Sequence, residues 1–177
     1  MLSTEAVDRL VKAKAVQPWL PLGVLTARRA LYVTTPVLRA LTGPWPVRNG
    51  EKAEDVAERR QDLIDLVALW TRGDPMSPRL VKPLEPPPPC DGVWEMRAQN
   101  VQPGARLFGM FPSRNIYVAT TVVPRDTLGN AGSQPWTNAI QYAAAMAKTW
   151  FPSEAPILWP AGRVFGRSDV GVVCDDF

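Results

Sequence analysis

The sequence has no histidine, and its 177 residues include only two cysteines, Cys90 and Cys174. Without histidine the chain lacks the commonest zinc ligand and the commonest general base at neutral pH, and two distant cysteines make neither a metal motif nor a disulfide framework. No metal or cofactor is expected, and both thiols are expected to be free. No apolar run approaches the roughly 18 residues needed to cross a bilayer, and the opening "MLSTEAVDRLVKAKAV" is charged where a secretory signal has an apolar core. The expectation is a cytoplasmic protein with no membrane partner. A net charge of +3 is too small by itself to mark a nucleic-acid binder.

What is present is globular: 46% apolar residues and 21% charged, at a length suited to one domain with extensions. The 19 prolines predict many rigid connections. Charge is unevenly spread. Residues 1–78 hold 11 basic and 9 acidic groups, residues 79–125 hold 6 and 3, and residues 126–177 hold 3 and 5. In the middle segment the acids Glu85, Asp91 and Glu95 lie toward the start, and Arg97, Arg106, Arg114 and Arg125 follow with no acid among them.

Periodicity supplies the elements. Ser3 can cap a helix whose apolar face, Ala6, Val7, Leu10 and Val11, runs to about Val16. A β-rich stretch, Leu31 to Thr35, leads into a short helix opened by Pro36 and closed by Gly43. "EKAEDVAERRQDLIDLVALWTR", 51–72, is the clearest helix, with Val56, Leu63, Val67 and Trp70 on one side, acids in its first turns and Gly73 at its stop. A proline-rich connector follows, its proline run expected to be an extended spacer. Strands are predicted at 93–98, 105–111 and 115–123, the last two joined by the tight turn "PSRN". A final helix spans about 135–151, and the tail carries one short predicted strand at 170–174.

Strand alternation sets Trp94 and Met96 opposite Val93, Glu95 and Arg97, and groups Arg106 with Phe108 and Met110. Two readings of Arg97 and Arg106 stay open: ordinary positions paired with Glu95 or another acid, or a pair of cations meeting a phosphate. Lys82 is either a solvated loop lysine or part of the same group. Trp94, Phe108, Phe111 and Trp136 are either core or base-stacking rings. Trp45, Trp150 and Trp159 mark either a partner surface or packing of the extensions.

The segments "VKPL", "DGVWEMR", "ARLFGMF" and "IYVATTVVPRD", in that order and spacing, resemble the RelE/HigB-like toxins of the RelE/ParE superfamily over about residues 29–151. The resemblance implies an α+β fold with a β-α-α-β-β-β-α core, a small antiparallel sheet with helices packed on one face. An N-terminal helical extension, 1–28, and a C-terminal tail, 152–177, would flank it. It also implies ribosome-dependent cleavage of mRNA and neutralisation by an antitoxin. By position, Arg97 matches the arginine ending the first meander strand, Arg106 the one opening the next, Arg125 a basic residue after the last strand, and Lys82 the lysine before the meander.

Such residues suit a metal-free reaction. Attack by a 2′-hydroxyl needs a base, an acid for the leaving oxygen, and positive charge around the phosphorane-like transition state. Arg97, Arg106 and Arg125 supply that charge as planar forks that stay protonated. Lys82, Tyr117, Tyr142 and Glu95 are the candidate bases, and Asp126 is placed to neutralise Arg125. Two alternatives of different class stand beside this one. One is a catalytically silent interaction module of a mobile genetic element, and the other a non-catalytic nucleic-acid-binding accessory protein.

Overall fold

A computed structural model describes residues 4–84, 92–152, 156–158 and 165–175. The cap at Ser3, the proline run at 86–89, Cys90 and Trp159 fall outside them. The fold is α+β. Helix α1 (Thr4–Lys12) precedes a two-residue strand β1 (Gln17–Pro18), then come β2 (Ala30–Val33), α2 (Thr35–Thr42), α3 (Ala53–Arg72) and β3 (Val81–Pro83). Strands β4 (Trp94–Ala98), β5 (Ala105–Ser113) and β6 (Ile116–Pro124) form the meander. The short α4 (Arg125–Leu128), the long α5 (Gln134–Trp150) and a 3-10 helix (Arg167–Val172) complete the chain.

Local chemistry explains the boundaries. Pro36 lies in the first turn of α2, where its missing N–H costs nothing. Helix α3 ends where Gly73 takes φ 83° and turns its N–H back to the carbonyls of Leu69 and Trp70. Helix α1 stops at Lys12, short of the predicted Val16, because Lys14 adopts a left-handed φ of 58° that breaks the helix. Asn115, at φ 62°, makes the tight turn between β5 and β6.

The sheet differs from the small antiparallel one expected. Among the described residues it has six strands in the order β1-β2-β6-β5-β4-β3, and β2 runs parallel to β6 while the other pairings are antiparallel. A parallel pair needs a long crossover, and α2, α3 and the first strands of the meander provide it. The helices do not sit on one face. Trp94, Met96, Leu107, Phe111 and Tyr117 pack with α2 and α3 on one side, while Phe108, Met110 and Val118 pack with α1 and α5 on the other. Both faces of the meander carry large apolar residues, so both must be covered.

The predicted strand at 170–174 is a 3-10 turn instead. Val170, Val173 and Cys174 are buried while Gly171 and Val172 are exposed, a spacing of three to four that a strand cannot present to one side. This segment packs on the α3 side of the sheet, where Phe165 meets Trp94 edge-on at 5.4 Å, and Cys174 is buried there.

Candidate functional site

Antiparallel pairing between β4 and β5 sets Arg97 directly across from Arg106, and pairing between β3 and β4 sets Lys82 across from Glu95. Directly paired residues share a sheet face. All four therefore lie on the α5 side, beside Phe108 and Val123, which line the small core beneath that helix. Pairing register brings Lys82 on β3 together with Arg97 and Arg106, whereas alternation alone sets the two arginines among different neighbours and the sequence reads Lys82 as a loop residue. Arg114 does not join them, because it sits at the opposite end of β5 and pairs with Asp175 at 2.8 Å.

Glu95 is the centre of the group. It is fully buried, and its Oε1 accepts both the Nε of Arg97, at 2.6 Å, and its Nη2. Its Oε2 lies 3.5 Å from the Nε of Arg106, and among the described residues neither of those atoms has a hydrogen-bond partner. The side chains of Arg97 and Arg106 are 24% and 12% exposed, and Arg106 Nη1 donates to the carbonyls of Ala105 at 3.1 Å and Ala98 at 3.4 Å. Burial draws the Arg106 guanidinium below its ordinary pKa; Glu95 opposes that shift, and the positive charges of Arg97 and Arg125 reinforce it.

Arg125 reaches the group from the end of β6. Its backbone N–H donates to the carbonyl of Gly104 at 3.0 Å, which ties α4 to the β4–β5 connection. Its guanidinium donates to the Gly129 carbonyl and lies 5.6 Å from the centre of the Trp136 ring. Asp126 does not neutralise it. That carboxylate turns away to Arg48, at 3.1 Å, and to the buried Arg59, at 3.6 Å. The reason is competition: two arginines already sit on the far side of the α4 turn.

The remaining sequence candidates separate cleanly. Tyr117 is fully buried on the other face of the sheet, donating to the carbonyls of Leu107 and Trp94; burial, and then the charge of Glu95, pushes its phenol well above the ordinary value. It cannot exchange protons with a ligand on the α5 side. Tyr142 is exposed on α5. Trp94, Phe108 and Phe111 are fully buried core rings, and Trp136 packs edge-on against Phe108 at 6.0 Å, so none of the first three is open to a base.

No known family model, curated protein or solved structure matches this chain. The site must be read from its own geometry. Sequence reasoning missed two parts of it. One is the network of Arg48, Glu51, Arg59 and Asp126; the other is Asp62, which accepts from Asn100 N at 2.9 Å, Asn100 Nδ2 at 2.7 Å and Val101 N at 3.3 Å and so fixes the connection between β4 and β5. A signal existed: Arg59 and Asp62 fall within the helical stripe set by Val56, Leu63 and Leu66, where a charge must find a partner.

Proposed function

We propose that the chain is a RelE/HigB-like protein that binds RNA phosphate on the face formed by Lys82, Arg97, Arg106 and Arg125. One observation carries the reading: among the described residues Lys82, Arg97 and Arg106 share a sheet face with Glu95, and Arg125 adds positive charge from the end of β6. The order β2, α2, α3, β4, β5, β6, α5 supports the likeness in fold, with β1, β3 and α4 as additions to the core. In this reading Glu95 holds two guanidinium groups in place, and their outward N–H groups and that of Arg125 meet phosphate oxygens.

Cleavage would require the 2′-oxygen to attack phosphorus while the bond to the 5′-oxygen breaks, the hydroxyl proton passing to a base and another proton reaching the leaving oxygen. Binding and charge stabilisation have visible residues. For the proton steps, Lys82 and Glu95 are the candidates on the face, and Glu95 lies beneath the arginines. A second reading, a silent module that binds a protein partner such as an antitoxin, is favoured by that same burial: Glu95 neutralises part of the charge that a phosphate would otherwise meet.

The test is single-stranded RNA binding across a salt series, together with mRNA cleavage on programmed ribosomes. Binding is expected to weaken with salt by a slope of about −0.7 for each phosphate neutralised, and Arg97→Ala, Arg106→Ala and Arg125→Ala should each flatten it. Cut mRNA and slowed growth on expression support the nuclease. Binding with intact mRNA points to the accessory role, and salt-independent or absent binding rejects the phosphate site.

A further inference from the structure

On the far side of the α4 turn lies a cleft of about 200 Å³. Trp45, Val56, Val122 and Pro124 form apolar walls, and Arg48 and Glu51 add polar ones. It exists because β2 pairs with β6 only as far as Ala119, so among the described residues the second half of β6 has no strand beside it on that edge and is flanked by α2 and the segment after it. The Trp45 ring is held by a hydrogen bond from its Nε1 to the Ala40 carbonyl at 2.7 Å, and it is only partly buried.

We propose that this cleft is a nucleobase subsite, taking one base of an RNA strand whose phosphate lies at Arg125, with the base stacked on Trp45. The inference rests on the phosphate-binding reading above. Three observations argue for a base. The volume is below the roughly 300–1,000 Å³ of pockets for drug-sized ligands and suits a single planar ring. An aromatic wall beside polar groups matches a base, which has an apolar face and a hydrogen-bonding edge. Arg59, which also lines the cleft, is buried and held by Glu51 and by Asp126 at 3.6 Å, which fixes the polar wall that such an edge would meet.

The location joins the two sites. Pro124 lines the cleft and Arg125 is the next residue, about 3.8 Å further along the backbone. Asp126, the residue after that, is bonded to Arg48 and lies against Arg59 in the cleft wall. Val122 and Pro124 face the α3 side of the sheet while the Arg125 guanidinium lies over Trp136 on the α5 side, so a strand with its phosphate at Arg125 would reach the cleft by passing around the α4 turn.

The test compares binding of a single-stranded hexanucleotide RNA with a strand of six abasic sugar phosphates at low salt. The wild type should prefer the RNA by about fivefold or more, the effect of one stacked base. Trp45→Ala should lower that ratio towards one while leaving the salt-dependent binding of the abasic strand, and Trp45→Phe should keep most of it. Val122→Phe, which fills the cleft from the strand side with Trp45 in place, should also abolish the preference, so the outcome does not hang on one variant folding. Equal binding of both strands by the wild type, or a preference untouched by Trp45→Ala and Val122→Phe, overturns the subsite alone, the latter placing the bases elsewhere. Failure to bind either strand overturns the phosphate reading and the subsite together.

Discussion

Glu95 sits where a carboxylate is costly to bury, and the arginines of two neighbouring strands offset that cost. Removing it leaves Arg97 and Arg106 mutually repelling on a largely buried surface. Glu95→Ala is therefore expected to lower the unfolding free energy by about 3 kcal/mol in urea denaturation, the usual scale for breaking a buried ion pair from one side. Arg125→Ala, at the rim, should change it by about 1 kcal/mol or less, so any large effect of that variant on RNA affinity would not come from unfolding. Residue faces were legible from alternation alone: Arg97 and Arg106 lie on the expected sides of their strands. Which acid they meet, and where Asp126 turns, depended on pairing register and on Arg48 and Arg59 arriving from distant segments.

At the scale of elements, the β4–β5 connection is held by Asp62 from α3, and its two backbone amide donors would have to find water without it. Asp62→Ala is expected to cost about 2–3 kcal/mol, as for hydrogen bonds to a charged group, and to speed hydrogen exchange at the amides of Asn100 and Val101. The cleft segment has its own pH signature. Glu51 accepts a backbone bond from Arg48 and a side-chain bond from Arg59, and these, in that order, hold its carboxyl below the ordinary range. A lowered folded-state value means stability that is present above the unfolded-state value of about 4.3 and lost as pH falls through the lower, folded one. Thermal unfolding followed from pH 6 to pH 3 should therefore fall more steeply for wild type than for Glu51→Gln. Long elements such as α3 and α5 could be read from their stripes, whereas β1, β3 and α4 could not. Each has only two to four residues, two of these segments contain proline, and tertiary pairing alone makes them regular.

For the whole molecule, the α+β class was legible but the covering of both sheet faces was not. Strand alternation says that two faces exist, and only the abundance of large apolar residues on each, as in "ARLFGMF", hints that neither meets water. The C-terminal segment follows α5, which lies on the sheet face that carries the arginines. Its described part instead packs on the opposite side, held by Arg29 and Arg114 to Asp175 and by two hydrogen bonds between Asn115 and Asp175. Gly109 shows how tightly that side is filled: a methyl group there would come within 2.8 Å of the Tyr117 ring and closer still to the Val118 carbonyl. Gly109→Ala should accordingly lower the melting temperature by several degrees, a change measurable by calorimetry.

The parallel pairing of β2 with β6 also sets a timetable for synthesis. Thr34 bonds to the carbonyl of Thr120, 86 residues later, and β2 has no strand partner of comparable length until β6 exists. At about 5–20 residues per second, a nascent chain spends roughly 4–17 s with that strand made and its neighbour still unmade. Protection of β2 from proteolysis on stalled ribosomes should then appear only after β6 has emerged, late in translation and nearly together with the basic face that the same strand completes.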